Sequence, residues 1–259
     1  MNPINPLENL AKMDYPGRVV LMGVNPEGLI FVGYVITGRS PSSQARKLVL
    51  SEINTEEPSI QVVPTAENLL RRNETSLLIY PAINIRGGIV VGNGQQTSSI
   101  PTNGLDDAVA SLNFGLKNWT YEPDAPNFTP RITGCFAVRI PNRYTTNRVS
   151  YYLALSILKQ GKGGSKELQI FEVPLLNGSG KLISTYTGEN IDPLPSFRGE
   201  PLNFEVPWDN VEKAVNAVYE ALAPKPRQQD FRVAVAGIYA KEHDFHSFHH
   251  FIRNRHDRG

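Results

Sequence analysis

The feature that most constrains the fold is a succession of short apolar runs, rich in β-branched residues, that end at turn-forming residues. The runs Arg18 to Asn25 and Leu29 to Thr37 flank the turn Pro26-Glu27-Gly28 and predict a β-hairpin. The run SLLIYPAINI, Ser76 to Ile85, is apolar enough for a buried strand, and Phe231 to Tyr239 predicts a last strand. The pattern therefore predicts a protein dominated by strands.

The second half of the chain continues this pattern, and its length sets the size of the core. Three runs predict strands of a second sheet or of a second half of the molecule: Ile132 to Ile140, Val149 to Lys159 and Leu168 to Leu176. At 259 residues the chain can bury a core as one large domain or two small ones. We interpret residues 1–259 as a single domain, with a proline-rich lead-in at 1–17 and a His- and Arg-rich segment at 241–259.

Two segments have the pattern of helices. Ile100 to Trp119 carries an apolar stripe, and Asn103 is its expected N-cap, followed by Asp107 in the first turn. The second helix is expected to begin at the cap Asp209, with Glu212 three residues later. One helix after each set of strands indicates the α+β class, with helices covering sheets that pack on each other.

Composition excludes several classes of function. The net charge of +1, from 26 basic and 25 acidic residues, argues against a general nucleic-acid binder. The N-terminus has no apolar core of the signal-peptide type, and no apolar run is long enough to span a bilayer. The single cysteine, Cys135, fits a reducing compartment. We therefore expect a cytoplasmic protein that binds neither membrane nor nucleic acid; a homo-oligomer is left open.

A polar loop follows the predicted central strand. In VVGNGQQT, Val90 to Thr97, the apolar run stops at Gly92-Asn93-Gly94, where the backbone can bend sharply and approach another group closely. Amide and hydroxyl side chains then crowd this strand end. An Asn-Gly pair is also the usual signal of a hairpin, so the loop has both a structural and a ligand-binding interpretation.

Two further loops carry chemistry-bearing side chains. Gly38-Arg39-Ser40, with Arg46 close behind, places cations and hydroxyl groups at a strand end; this suits an anion such as phosphate, or else forms a solvated loop. The segment Tyr121 to Gly134 has three prolines, which favour an ordered loop. Its candidate functional groups are Glu122 and Arg131, with a loop-holding ion pair as the alternative.

All five histidines lie near the C-terminus, in KEHDFHSFHHFIRNRHDRG. Their spacing could place several on one helical face, which permits metal binding. The interspersed Phe245, Phe248, Phe251 and Ile252 instead favour an amphipathic segment with polar histidines. No metal site is expected.

Four pieces in register resemble one known family. GYVITGRS (Gly33 to Ser40), LIYPAI (Leu78 to Ile83), VVGNGQQT and YEPDAPNFTPRI (Tyr121 to Ile132) are together similar to the archaeal-type IMP cyclohydrolases. The resemblance implies a fold like that of the N-terminal-nucleophile hydrolases, a four-layer α/β/β/α sandwich of two stacked antiparallel sheets. It also implies a cofactor-free cyclic-amidine hydrolase of purine biosynthesis that closes 5-formamidoimidazole-4-carboxamide ribotide (FAICAR) to IMP with loss of water.

The resemblance also implies the site residues. Tyr80, Glu122 and Arg39 match the family's catalytic positions: Glu122 would shuttle a proton, Tyr80 would donate to the formyl oxygen, and Arg39 would hold phosphate or polarise the substrate. The implied substrate-binding residues are Ser40, Asn93, Gly94, Thr97 and Arg131. Asn93 and Thr97 would hydrogen-bond the base or carboxamide, and Arg131 would orient Glu122 or bind phosphate.

One departure leaves an alternative open. Family members often carry an acid after the loop threonine, where this chain has Ser98. The alternative is a diverged purine-ribotide-binding protein, or a related amidohydrolase, without the cyclohydrolase activity.

Overall fold

Two antiparallel sheets stack face to face. The computed structural model describes residues 5–51, 57–65, 79–102, 105, 107–139, 150–242 and 244–257. Within these residues the first sheet has six strands in the order β11-β10-β1-β2-β12-β13. Its strands are β1 (Arg18–Val24), β2 (Ile30–Thr37), β10 (Ser179–Ser184), β11 (Leu202–Glu205), β12 (Arg232–Lys241) and β13 (Asp244–Asn254).

The second sheet follows chain order. Over the same described ranges it has seven strands, from β3 at one edge to β9 at the other. Its strands are β3 (Arg46–Ser51), β4 (Ser59–Pro64), β5 (Tyr80–Ile85), β6 (Ile89–Gly92), β7 (Arg131–Arg139), β8 (Ser150–Gln160) and β9 (Lys166–Val173). Each of these strands pairs antiparallel with the next strand along the chain.

Helices cover the outer faces of both sheets. The described helices are α1 (Glu8–Ala11), α2 (Pro41–Gln44), α3 (Ala108–Leu116) and α4 (Val211–Ala221). Leu112 and Leu116 of α3 pack with Cys135 of β7, whereas Val215 of α4 packs with Val235 of β12. None of the described helices is long and apolar enough to cross a membrane.

The main core lies between the sheets. Apolar side chains from both inner faces, such as Met22 and Ile36 on one and Ile83 and Phe136 on the other, form one buried cluster. Asn254 at the end of β13 joins the sheets at one edge, since it accepts a hydrogen bond from the Leu48 amide (2.8 Å) and donates to the Leu48 carbonyl (3.1 Å). The predicted α+β class, with two stacked antiparallel sheets, is confirmed.

The sequence left open whether β7, β8 and β9 belong to a second sheet or to a second half of the molecule. Strands β7, β8 and β9 do not form a new sheet. They extend the sheet of β3 to β6, because β6 pairs with β7 through Ile89↔Phe136 and Val90↔Cys135. The later strands β10 to β13 return to the first hairpin and complete the other sheet.

Both predicted helix starts are shifted. Helix α3 begins at Ala108, because Asp107 is extended and its side chain accepts from the Ala110 amide at 2.7 Å; Asn103 lies outside the described residues. Helix α4 is capped by Asn210, which accepts from the Lys213 amide at 2.9 Å, whereas Asp209 forms an ion pair with the Lys213 ammonium. An apolar stripe locates a helix, but competition among neighbouring polar side chains decides its first residue.

The histidine-rich segment is a strand, not a helix. β13 pairs with β12 through Tyr239↔His249 and Gly237↔Phe251. Its apolar side chains divide between the two faces: Ile252 packs toward the core between the sheets and Phe251 toward α4. A strand covered in part on both faces has apolar residues at spacings that resemble a helical pattern.

Candidate functional site

A cavity of about 610 Å³ lies at the end of the sandwich where three strands begin. Arg18, Arg46 and Tyr80 are the first residues of β1, β3 and β5, and all three line the cavity. Hydroxyl groups of the segment that opens α2 line it as well. This volume falls in the range of small-molecule sites.

The structure brings most of the expected site residues together. Tyr80, Glu122, Arg39, Ser40 and Asn93 line this cavity. The other three expected residues, Gly94, Thr97 and Arg131, are not among its lining residues and lie in the layer behind it.

Glu122 is placed by an ordered loop. Its backbone amide donates to the Thr129 carbonyl at 2.9 Å, which closes the loop on itself. Asp124 accepts hydrogen bonds from both the amide and the hydroxyl of Thr129. The same hydroxyl is 2.6 Å from the hydroxyl of Tyr186, which also lines the cavity. The prolines predict an ordered loop, whereas its contact with Tyr186, 57 residues further along the chain, could not be predicted from the local sequence.

The Glu122 carboxyl group is held in an environment that favours its neutral form. Its side chain is 12% exposed, and one carboxylate oxygen lies 3.5 Å from Arg131 Nη1. Burial raises the pKa of Glu122 to about 7; Arg131 opposes this shift, and the negative charge of Asp124 adds to it. A carboxyl group with a pKa near 7 can both accept and release a proton at neutral pH.

Arg131 is fixed by contacts on several sides. Its Nε donates to the Thr120 carbonyl at 2.8 Å and its Nη1 to Gln96 Oε1 at 3.1 Å. The guanidinium also lies 5.1 Å from the ring centre of Trp119. Burial lowers the pKa of Arg131, although Glu122 acts in the opposite direction. These contacts leave Arg131 in a position to orient Glu122.

The Asn-Gly loop mainly ties strand ends together. Asn93 accepts from the Ile132 amide at 2.7 Å and donates to the Pro130 carbonyl at 2.9 Å, while the buried Thr97 hydroxyl donates to the Pro81 carbonyl at 2.7 Å. A Cβ atom at Gly94 would lie 2.4 Å from Arg131 Nη1, so only glycine leaves room for the guanidinium. Because the Thr97 hydroxyl already donates its hydrogen to a backbone carbonyl, the structural interpretation of the loop applies to this residue.

Two tyrosines from different sheets meet at the floor of the cavity. The hydroxyl of Tyr34, on β2, lies 2.7 Å from the hydroxyl of Tyr80, on β5. Both side chains are buried, at 0% and 2% exposure. Burial and the neighbouring Tyr80 raise the pKa of Tyr34 well above its ordinary value, so its phenol stays protonated.

Two arginines bring positive charge to the same floor. Arg18 donates to the backbone carbonyls of Gly17 and Thr37, and Arg46 donates to the Ser43 carbonyl at 3.0 Å. Within the described part of the chain, neither arginine forms an ion pair with a carboxylate. Burial, together with repulsion by Arg18, lowers the pKa of Arg46 to about 10, so it remains cationic at neutral pH.

Arg39 lies at the rim rather than at the floor. Its guanidinium forms an ion pair with Asp192 at 2.8 Å and is 5.3 Å from the ring centre of Tyr15. Tyr15 in turn stacks on Tyr186, with 6.0 Å between the ring centres. The rim therefore combines aromatic faces with a cation that already has an exposed partner.

Sequence reasoning did not find Arg18, Tyr34, Tyr15 or Tyr186. Tyr34 lies in the apolar part of GYVITGRS, the other three lie outside the quoted motifs, and each looks like an ordinary residue of a strand or its flank. One weak signal existed for Arg18, a cation directly before an apolar run. Pairing of strands far apart in the chain brings these side chains to one place.

No cluster of three or more His, Cys, Asp or Glu side chains that could hold a metal ion occurs among the described residues. His243 and the side chain of His246 lie outside them. The remaining histidines of β13, His249 and His250, are exposed and lie away from the cavity.

Comparison with known protein families identifies the family of this chain. The model of the family described as IMP cyclohydrolase-like protein matches residues 15–244. No curated protein matches the chain. The family match includes every lining residue of the cavity, from Tyr15 to Leu194, and all the described strands except β13, of which it reaches only the first residue. The chain therefore belongs to the IMP cyclohydrolase-like protein family.

Proposed function

We propose that this protein is an IMP cyclohydrolase, which closes the formamido ribotide FAICAR to IMP with loss of water. Family membership supports a related function. The observation that carries the specific proposal is the cavity shared by Tyr80 and Glu122, in which a carboxyl group with a pKa of about 7 faces the same space as a phenol.

The reaction requires the transfer of protons and involves no oxidation or reduction. The carboxamide nitrogen attacks the formyl carbon of the same molecule and loses one hydrogen, and the formyl oxygen becomes a hydroxyl group. The formamide nitrogen then loses its hydrogen as the hydroxyl departs as water and the C=N bond forms. Because the reacting groups are tethered, the enzyme must chiefly hold them in the reactive rotamer and move these protons.

Glu122 and Tyr80 are assigned to opposite ends of this proton transfer. The Glu122 carboxylate takes the proton from the attacking nitrogen, and Arg131 keeps the carboxylate in place. The Tyr80 hydroxyl donates to the formyl oxygen as charge develops there. Arg18 and Arg46 interact electrostatically with Tyr80, so they add positive charge near that oxygen.

The rim is assigned to the phosphate group. Arg39, with the hydroxyl groups of Ser40, Ser42 and Ser43, lines the cavity away from the Glu122–Arg131 pair. A guanidinium and several hydroxyl groups suit phosphate oxygens. In this arrangement the phosphate of the ribotide would replace Asp192 as the partner of Arg39. Thr97 and Gly94 support the loop and are not assigned a direct contact.

The binding-protein alternative loses its main argument. It rests on Ser98, which is exposed and does not line the cavity. A substitution at that surface position leaves Tyr80, Glu122 and Arg131 in their present contacts. The cyclohydrolase is therefore the better-supported proposal.

The test is direct conversion of FAICAR to IMP, followed by absorbance without added metal or cofactor. The unaltered protein should form IMP. Glu122→Gln should lose most turnover, by about 10²- to 10⁴-fold, because it cannot accept a proton. Binding of the amino precursor, which has no formyl carbon and cannot close, should persist in that variant by calorimetry. Glu212→Gln, on the exposed face of α4, is the matched control.

Two results would overturn the proposal. One is a folded protein that binds the amino precursor and forms no IMP, which would favour a ribotide-binding protein. The other is full turnover by Glu122→Gln, which would remove the proposed proton acceptor.

A further inference from the structure

The two tyrosines at the floor of the cavity have unequal access to a ligand. Tyr80 lines the cavity, whereas Tyr34 is 0% exposed and does not. Tyr34 belongs to the apolar core between the sheets, with Val32 and Ile36 on its own strand, and the buried cations Arg18 and Arg46 are close enough to act on its hydroxyl group. Neither apolar side chains nor arginines can accept a hydrogen bond, so the hydrogen of the Tyr34 hydroxyl needs another partner.

A count of hydrogens links the direction of the bond between the tyrosines to the role of Tyr80. Each phenol carries one hydrogen and accepts through its oxygen. If Tyr80 donates its hydrogen to a substrate oxygen, the hydrogen in the 2.7 Å contact must belong to Tyr34. The opposite direction would turn the Tyr80 hydrogen away from the cavity and into the core.

We infer that Tyr34 is a positioning residue: it donates its hydrogen to the Tyr80 oxygen and so keeps the Tyr80 hydrogen directed at the oxygen of the bound substrate. This inference rests on the proposed function, in which Tyr80 donates to the formyl oxygen. Tyr34 touches no substrate atom and acts through Tyr80 alone.

The surroundings keep Tyr34 in the donor state. Its pKa is raised by burial and by Tyr80, and Arg18 and Arg46 oppose this shift without reversing it. The charged and titratable groups near Tyr80 are Tyr34 on β2, Arg18 on β1, Arg46 on β3 and Arg131 on β7. The three arginines have no acceptor atoms, so the hydrogen of Tyr34 has the Tyr80 oxygen as its partner.

The experiment is a double-mutant cycle of Tyr34→Phe and Tyr80→Phe, with kcat and KM measured for FAICAR. Tyr34→Phe should lower kcat by about tenfold and change KM by less than about twofold, because the lost hydrogen bond aligns the reacting group. In the Tyr80→Phe background the same substitution should have no further effect on kcat. A residue that acts only through its partner shows this full non-additivity.

Tyr239→Phe is the matched control. Tyr239 is also a buried tyrosine of the first sheet, and its hydroxyl donates one hydrogen bond, to the Trp208 carbonyl at 2.9 Å. Both Phe variants keep the aromatic ring and lose one buried hydroxyl, so their thermal unfolding should shift by similar amounts. Only Tyr34→Phe should lower kcat.

The outcomes separate the two proposals. An unchanged kcat for Tyr34→Phe, or an equal loss of kcat in the presence and absence of the Tyr80 hydroxyl, would overturn the positioning role and leave the cyclohydrolase standing. A loss of kcat in Tyr239→Phe as large as that in Tyr34→Phe would assign the effect to general loosening of the core. A wild-type protein that forms no IMP would overturn the proposed function and this inference with it.

Discussion

Replacing Glu122 with glutamine should stabilise the protein at alkaline pH and flatten the pH dependence of its stability. The carboxyl group is buried, and its pKa is about 7 in the folded protein against 4.5 for an ordinary glutamate. Between these values the folded state binds more protons than the unfolded state. The free energy of unfolding therefore falls as the pH rises through this window.

The size of the effect follows from the shift. At about 1.4 kcal/mol for each pH unit between the two pKa values, the ionised carboxylate costs the folded state about 3 kcal/mol, and the loss is complete above pH 7. Glutamine resembles the neutral carboxyl group and does not ionise. The variant and the wild type should be similarly stable near pH 5, and the variant should be more stable at pH 8 by up to about 3 kcal/mol.

Urea unfolding at pH 5, 6, 7 and 8 measures the difference directly. Glu212 is an exposed carboxylate, so Glu212→Gln is the control. Its free energy of unfolding should change with pH in parallel with that of the wild type. Parallel curves for Glu122→Gln and the wild type would refute the reasoning, since Glu122 would then have no raised pKa. If Glu122→Gln is more stable at pH 8 but inactive, the Glu122 carboxylate is required for activity and lowers the stability of the folded protein.

Three further predictions concern the same cavity. The value of kcat/KM for FAICAR should rise with pH and level off above about pH 7, as Glu122 becomes the carboxylate that accepts the proton; a profile flat from pH 5 to 8 would contradict this. Asp192→Asn should lower KM by about two- to fivefold at constant kcat, because it frees Arg39 from an exposed ion pair, and steady-state kinetics would show it. Gly94→Ala should cost about 1–3 kcal/mol in urea unfolding and also lower kcat, because the new methyl group displaces Arg131.

The strands could be predicted because their signal is local. The runs that became β1, β2 and β12 are apolar and β-branched, and turn residues separate them. Which strands share a sheet is decided by pairings between residues far apart in the chain, such as β1 with β10. For this reason the sequence left open whether β7 to β9 form a second sheet or a second half of the molecule.

The candidate site divides in the same way. Glu122 and Arg39 stand in short polar motifs, so the sequence indicated them, although their roles stay predictions. Tyr34 is one tyrosine inside an apolar run, and its proposed role depends on its contact with Tyr80, which lies 46 residues further along the chain. The partners of Thr97 are backbone oxygens, which no residue pattern could have specified.

The contact between Tyr34 and Tyr80 joins two sheets that are hydrogen-bonded separately. A shift of one sheet over the other that lengthened this 2.7 Å contact by about 1 Å would break the hydrogen bond, while every strand pairing stayed intact. The phenol pair therefore reports on the alignment of the two layers. Pressure, heat or mild denaturant that loosens the packing between the sheets should therefore abolish catalytic activity before the strands of either sheet separate.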